Sequence, residues 1–341
     1  MKRLLNSGRG LSKSYSSAQG TSHQIAVGAS VVAAALVISA LVNRVVAKNA
    51  ERNNPPAGKF LEVGGVRLHY VEQGEGEPLV LLQGNGSMIE DFASSGLIDK
   101  AAQRYRVIVF DRPGFGHSKR PRRTVWTPEA QADLIRKALQ QIGVSRATVL
   151  GHSWGASVAT ALALKYPDLV AGLVLASGYY YPTVRGDVIL SSGPALPMIG
   201  DVISHTLAPI MGRLMWPLFM HKIFGPSPEP KKFSRFPKEM ALRPSQVRAS
   251  AAESALLIPG AFAMSKDYAR LTMPVAIIAG EDDKVVDINK QSARLHRHVT
   301  QSTLRRVPGV GHMVHQTATD SVMVAIDEAV GRRAGKQAML P

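Results

Sequence analysis

The stretch Gly151-His152-Ser153-Trp154-Gly155 decides the predicted fold, because it places a serine between a strand pattern and a helix pattern. The short, mostly apolar run 147–150 predicts a buried strand, and residues 156–166 predict a helix. A serine on such a sharp strand-to-helix turn presents its hydroxyl above the sheet, with the helix N-terminus beneath it. The two glycines allow the tight turn and the close packing of the helix. We therefore interpret Ser153 as a nucleophile.

A serine hydroxyl needs a base to become nucleophilic at neutral pH, and an acid to orient that base. After this kind of turn the chain order is expected to be serine, then acid, then histidine. Residues 274–280 predict a buried strand that is followed by Asp283, and residues 303–307 predict a last strand that is followed by His312. Both side chains thus follow strand ends, where open α/β sheets place their sites. Asp282 and Asp287 are the alternatives to Asp283.

Four motifs in this order resemble the α/β-hydrolase family, with matches spread from about residue 60 to residue 330. They accompany the nucleophile stretch. Gln83-Gly84-Asn85-Gly86 resembles the loop after the family's third strand, and Asp111-Arg112-Pro113-Gly114-Phe115-Gly116-His117-Ser118 resembles the turn after its fourth. Gly280-Glu281-Asp282-Asp283 resembles its acid turn, and Gly311-His312 resembles its histidine loop. The resemblance implies an α/β fold with a mostly parallel, doubly wound sheet and an inserted helical cap. It does not specify a substrate.

The resemblance also implies roles for individual residues. Ser153 matches the nucleophile, Asp283 the acid and His312 the base. The backbone N–H groups of Asn85 and Trp154 match the oxyanion hole. Many relatives carry histidine before the glycine of the oxyanion loop, and here that residue is Gln83, so different hydrogen bonds must hold the loop.

The serine at this position predicts acyl chemistry, because relatives that open epoxides or remove halide attack with a carboxylate. We expect a small-molecule substrate, an ester with an apolar acyl part. A peptidase or iminopeptidase, a C–C bond hydrolase and a catalytically silent, membrane-tethered accessory protein remain alternatives. No cofactor or metal is expected, since the chain has no cysteine and no H-E-x-x-H motif.

The chain before residue 60 differs in composition from the rest. Residues 1–24 form a basic, serine-rich segment, and residues 25–46 form a predicted transmembrane anchor whose first 18 residues carry no charge. Residues 47–59 are predicted to be a linker. A secretory signal, an organelle transit segment and a buried or peripheral helix are the alternatives. Four basic residues precede the apolar run and three follow it closely, which slightly favours a single-pass membrane protein with an extracytoplasmic catalytic domain.

The remaining residues divide into a core and an insertion. We expect hydrolase core at 60–178 and 267–331, a helical cap at 179–266 and a short tail at 332–341. The cap carries a methionine-rich apolar series, which is Leu196, Met198, Leu207, Met211, Leu214, Met215, Trp216, Phe219 and Met220. Such a series is typical of packing against the sheet, of an acyl-sized pocket, or of a lid that touches a bilayer.

The net charge is strongly positive, at +16 for the whole chain. The first 52 residues contribute +6, so the rest of the chain still carries +10. Residues 221–248 hold seven basic residues and two acidic ones, a solvated charged face or a site for anionic headgroups. Beside an apolar anchor, membrane lipid is the expected partner, and nucleic acid is not.

Overall fold

A computed structural model of the chain describes residues 8–331. The predicted tail 332–341 and residues 1–7 of the basic segment lie outside them. Eight strands form one sheet: β1 (Lys59–Val63), β2 (Val66–Gln73), β3 (Glu77–Leu82), β4 (Tyr105–Phe110), β5 (Ala147–His152), β6 (Val170–Ala176), β7 (Val275–Gly280) and β8 (Ser302–Val307).

The α-helices are α1 (Gly8–Asn53), α2 (Ile89–Ser95), α3 (Leu97–Ala102), α4 (Pro128–Gln141), α5 (Trp154–Lys165), α6 (Gly186–Ser191), α7 (Ile199–His205), α8 (Leu207–Phe224), α9 (Lys238–Ala241), α10 (Pro244–Met264), α11 (Ser292–His298), α12 (Val314–Thr317) and α13 (Thr319–Ala329).

The sheet is mostly parallel. Its strand order is β1-β2-β4-β3-β5-β6-β7-β8. The β1–β2 and β2–β4 pairs are antiparallel, and the other pairs are parallel. Every residue of β5 and β7 is buried, as expected for parallel strands that helices cover on both faces. Two apolar clusters lie on opposite faces of the sheet. These features confirm the predicted α/β fold class.

The local signals of the sequence correspond to the observed elements. Gly64 and Gly65 both have positive φ angles and join β1 to β2 in a tight hairpin. Thr127 caps α4 by accepting a hydrogen bond from the Ala130 N–H, and Pro128 occupies the first helical position, where its missing N–H costs nothing. Between β6 and β7 the described residues contain only helices and irregular segments, and these form the cap.

The N-terminal helix is longer than the predicted anchor 25–46. α1 continues to Asn53, so residues 47–53 are helical and only a short connection leads to β1. No proline interrupts the helix before Pro55, and Ala50 packs against Met88 and Met240 of the globular domain. Within the described residues, the stretch Ala26–Asn53 is long and apolar enough to cross a membrane. Only 6% of its most apolar part is buried, so it is not a core helix of this domain.

Candidate active site

Ser153 stands at the top of β5 in a strained backbone conformation. Its φ of 54° and ψ of −117° lie in a region that side-chain-bearing residues rarely adopt. The turn is possible because Gly151 and Gly155 lack side chains. A Cβ on Gly155 would lie 2.0 Å from the Leu82 carbonyl oxygen, and one on Gly151 would lie 2.2 Å from the Gly155 oxygen. The sharp turn lifts the Ser153 hydroxyl out of the sheet.

Ser153, His312 and Asp283 form a continuous chain of hydrogen bonds. The Ser153 hydroxyl donates to His312 Nε2 at 3.0 Å, and His312 Nδ1 donates to Asp283 Oδ2 at 2.7 Å. The side chains of His312 and Asp283 are only 6% and 1% exposed. The other Asp283 oxygen accepts the N–H groups of Val285 and Val286, which fix the carboxylate in position. A buried, doubly held carboxylate can orient the imidazole and stabilise its protonated form.

The two rival acids have other partners. Asp282 Oδ2 accepts the N–H of Gly309, so it links the acid turn to the histidine loop. Asp287 accepts the N–H groups of residues 289 and 290 at the start of the next helical segment. Among the described carboxylates, only Asp283 is hydrogen-bonded to His312.

The predicted oxyanion loop, residues 83–86, runs directly beside Ser153. A Cβ on Gly84 would lie 3.1 Å from Ser153 Cβ, which brings the next residue, Asn85, to the rim of the site. Trp154 is the first residue of α5, so its N–H has no partner within the helix. Within the part of the chain that the structure describes, the N–H groups of Asn85 and Trp154 donate no hydrogen bond. Both are available to an oxyanion.

Arg112 holds the oxyanion loop in place. Its Nε and Nη2 atoms donate to the carbonyl oxygens of Gln83 and Gly84, each at 2.8 Å. The guanidinium is completely buried and pairs with Glu253 of α10, while Gln131 bonds to both side chains. The motif that contains Arg112 was recognised in the sequence, but no pattern there indicated that a cap carboxylate would meet it.

The loop is also tied to the cap through Asn85. Its side-chain amide donates to the Ser250 carbonyl at 3.1 Å and to the Ser254 hydroxyl at 3.2 Å, both on α10. Gln246 of the same helix donates to the Gly86 carbonyl. Cap helix α10 thus supports the oxyanion loop through four residues, three directly and Glu253 through its pair with Arg112.

A second buried polar cluster lies behind His312. His152 Nε2 donates to the His312 carbonyl at 3.1 Å, and the His152 ring lies 4.3 Å from the His315 ring. His315 Nε2 donates to Asp91 Oδ1 at 2.9 Å, and Gln316 bonds to the same carboxylate. His152 therefore supports the loop that carries His312, a contact that its position beside Ser153 in the sequence did not reveal.

The electrostatics of this cluster keep His152 neutral. Burial, followed by the charges of His315 and His312, lowers the pKa of His152 well below its usual value. Burial alone raises the pKa of Asp91, but the charge and hydrogen bond of His315 outweigh it and leave that pKa below 3.8. A neutral His152 carries one ring N–H, and the carbonyl of His312 can only accept, so that proton is on Nε2.

The side chains of this cluster are close enough together to be considered as ligands of a metal ion. The ligand atoms of Asp91, His152 and His315 lie within 4.8 Å of one another. However, Asp91 and His315 are hydrogen-bonded to each other, and His152 Nε2 points at a backbone carbonyl. The side chains fit a hydrogen-bond network better than a coordination shell.

Most of the methionine-rich cap series is exposed to solvent. Leu196, Met198, Leu207, Met211, Leu214, Met215 and Phe219 are exposed on the outside of the cap. Of the series, Met220 is buried and Trp216 is half-buried, and both belong to an apolar cluster with Met313 beside the base. Packing against the sheet was therefore the wrong interpretation for most of these residues.

Comparisons with known proteins agree with this architecture. The family model described as alpha/beta hydrolase fold matches residues 77–319. A 2-hydroxymuconate semialdehyde hydrolase from Pseudomonas sp. (strain CF600) is 30% identical over 151 residues, which are 43% of this chain and 53% of that protein. The chain thus spans about half the length of this relative.

Solved structures share the fold at low sequence identity. A membrane phospholipase A, described as a bacterial virulence factor, matches with a TM-score of 0.64 at 19% identity, over 93% of this chain and 98% of that one. A thermophilic esterase from Thermogutta terrifontis matches with a TM-score of 0.66 at 22% identity, over 80% and 97% of the two chains. Motifs, topology and family model agree, and the chain belongs to the alpha/beta hydrolase fold family.

Proposed function

We propose that the protein is a serine hydrolase that cleaves an ester with an apolar acyl group through a covalent acyl-enzyme. The hydrogen-bond chain from Asp283 through His312 to Ser153 carries this proposal. A serine at the nucleophile position supports acyl transfer, since the carboxylate that forms alkyl esters in other members of the family is absent here.

The reaction follows from the positions of these groups. His312 Nε2 takes the Ser153 proton as Oγ attacks the acyl carbonyl, and Asp283 stabilises the imidazolium. The N–H groups of Asn85 and Trp154 donate to the oxyanion, and each such donor is worth about 3 kcal/mol in comparable sites. His312 then protonates the leaving alcohol. A water molecule, deprotonated by His312, attacks the acyl-enzyme, and Ser153 recovers its proton as the acid leaves.

The surroundings of the base support an apolar acyl group. The backbone N–H of His312 donates to the carbonyl of Ile223 at 2.9 Å. This contact places the end of α8 beside the loop that carries His312. Met220, Phe224 and Met313 belong to the apolar cluster formed there. An alkyl chain that reaches this cluster would contact the carbon atoms of these side chains.

We also propose that α1 anchors the enzyme in a membrane as a single pass. Its uncharged stretch is long enough to cross the hydrocarbon layer, and it is followed by Arg44 and Lys48. The catalytic domain is folded onto the end of this helix through Asn43 and Ala50. A removable signal segment would not be expected to contribute contacts to the mature domain.

A series of p-nitrophenyl esters of increasing acyl length, with the full-length protein and its Ser153→Ala variant, tests the activity. We expect a rate maximum at one chain length and loss of turnover in the variant.

The second candidate function is hydrolysis of compounds such as 2-hydroxymuconate semialdehyde, which the name of the 30% identical relative suggests. Turnover of that compound without ester hydrolysis would replace the ester proposal. Ester turnover that survives in the variant would refute the mechanism.

A further inference from the structure

The cap presents a continuous apolar surface to the outside of the molecule. α8 exposes a series of large apolar side chains spaced three and four residues apart, which places them on one helix face. The neighbouring segment that includes α7 adds more. Together these residues, called here the apolar cap face, are Leu196, Met198, Ile199, Val202, Leu207, Ile210, Met211, Leu214, Met215, Leu218 and Phe219. Extended apolar surfaces of soluble proteins mark sites that bind protein or membrane.

Polar contacts hold this face at a defined level along α1. The hydroxyl of Ser39 and the amide of Asn43 donate to the carbonyl of Thr206, each at 2.9 Å. Thr206 is the residue between α7 and α8. Arg213 of α8 donates in turn to the Asn43 oxygen at 2.9 Å. The apolar cap face therefore begins beside Ser39 and Asn43, where the uncharged stretch of α1 ends.

Basic residues begin immediately beyond this level, on both α1 and the cap. Arg44 and Lys48 of α1 have no ion-pair partner among the described residues, and they line a groove of about 580 Å³ between α1 and the cap whose other end is formed by Val37 and Leu41. At 1.5 Å per residue, Lys48 lies about 14 Å farther along the helix than Ser39.

On the cap, too, basic side chains follow the apolar ones in the direction from Ser39 to Lys48. A second groove has Val46 and Asn49 of α1 on one side and Arg235 and Lys238 of the cap on the other. On both elements, apolar side chains are followed by basic ones in the same direction. This is the order of hydrocarbon and anionic headgroups in one leaflet of a membrane.

The link between α1 and the cap is continuous with the candidate active site. Glu51 of α1 pairs with Arg243 at 2.7 Å, and the buried Arg243 guanidinium also bonds to the Gly116 carbonyl. Arg243 directly precedes α10, the helix that supports the oxyanion loop through Ser250 and Glu253. The geometry thus fixes the anchor, the cap and the site relative to one another.

We propose that the apolar cap face inserts into the same leaflet that α1 enters, with Arg44, Lys48, Arg235 and Lys238 at the level of anionic headgroups. This rests on the proposed function and its membrane anchor, and it defines the substrate class as a lipid ester taken from that leaflet. The occupant of the face is the bilayer itself. Its apolar area and its basic border match a lipid surface, whereas a second copy of this positively charged chain would bring like charges together.

Single-cysteine labelling tests the insertion directly, because the chain has no cysteine of its own. Leu214→Cys reports the cap face, Val31→Cys the anchor, and Asp168→Cys the amino-terminal edge of the parallel strands. The full-length variants carry an environment-sensitive fluorophore in vesicles of phosphatidylcholine and phosphatidylglycerol with quencher-bearing lipids. We expect quenching at 214 by shallow quenchers, at 31 by deep quenchers, and none at 168.

The outcomes separate the two proposals. Quenching at 31 without quenching at 214 overturns cap insertion and leaves the anchor intact. No quenching at 31 refutes the anchor and the insertion together. A shielded but unquenched label at 214 that crosslinks between chains also overturns insertion, because a second copy then covers the face. None of these results depends on ester hydrolysis.

An activity comparison completes the test. Leu214→Glu is expected to lower hydrolysis of a vesicle-embedded lipid ester about tenfold, because a charge opposes burial of this face in hydrocarbon. Hydrolysis of a short, soluble p-nitrophenyl ester is expected to stay within twofold of wild type. Val125→Glu, at an equally exposed apolar residue outside the apolar cap face, is the matched control and is expected to change neither rate. Equal effects of Leu214→Glu on both substrates, or none on either, would contradict the proposal.

Discussion

Arg112 and Glu253 form an ion pair that is completely buried between the sheet edge and cap helix α10. Arg112 Nη2 lies 3.1 Å from Glu253 Oε2, while the same guanidinium donates to the carbonyls of Gln83 and Gly84. The pair therefore couples the position of the cap to the shape of the oxyanion loop.

Replacing Glu253 by alanine is expected to destabilise the protein by about 3–5 kcal/mol, because it leaves the Arg112 charge buried without its partner. Chemical unfolding in a fixed detergent measures the change. Glu239→Ala is the control, since its pair with Arg213 is partly exposed and is expected to contribute less than about 1 kcal/mol. Similar losses in both variants would show that the buried pair has no special structural role.

Asp283→Asn is expected to lower kcat about 10⁴-fold with little change in stability, because an amide no longer holds His312 in the productive tautomer. Steady-state kinetics on the preferred p-nitrophenyl ester measure it. Asp282→Asn is the matched control at the adjacent position, and it is expected to change kcat less than tenfold, because Asp282 only accepts the Gly309 N–H. A larger effect at position 282 would reassign the acid.

Gly155→Ala is expected to cost about 1–3 kcal/mol, because the added Cβ would lie 2.0 Å from the Leu82 carbonyl and force β3 away from the elbow. The oxyanion loop follows β3 directly, so kcat is expected to fall as well. Gly193→Ala is the control, since a Cβ there meets nothing within 4 Å. Equal melting temperatures for the two variants would mean that the close packing is not required.

The parts of the candidate site that depend on local motifs could be predicted from the sequence. The contacts between residues far apart in the chain could not. The strand-turn-helix around Ser153 follows from nearby glycines and from apolar runs, and these signals predict the parallel sheet, whose strand ends bring distant motifs to one edge. The pairing of Arg112 with Glu253 joins residues 141 positions apart. No periodicity or spacing records such a contact, so the support of the oxyanion loop could not be predicted.

The orientation of the cap helices could not be predicted from the sequence either. Its composition predicted an apolar helical insertion, but composition does not say which face of a helix meets the protein. On α8, Arg213 contacts Asn43 of α1, and Gly212 packs against Leu242, the residue after α9. Leu214 and Phe219 therefore face outward. Only the packing of α8 distinguishes an inner apolar face from an outer one.

Acid stability provides an independent test of the cluster behind His312. The pKa of Asp91 is lower in the folded protein than its ordinary value of 3.8, so its ionised form favours folding. This contribution is fully present above the unfolded-state pKa and is lost progressively as the pH falls from that value toward the lower folded-state pKa. We expect Asp91→Asn to be less stable than wild type at pH 6, with a difference in unfolding free energy that begins to narrow at about pH 4 and keeps narrowing on further acidification. A pH-independent difference in unfolding free energy would contradict this assignment.

The central claim, that Ser153 is a nucleophile activated by His312, is tested most directly by reaction with a fluorophosphonate and mass analysis of the labelled peptides. The account predicts one adduct, located on Ser153, which is absent in Ser153→Ala and forms much more slowly in His312→Ala. Folded wild-type protein that gains no adduct, or gains one at another residue, would contradict it.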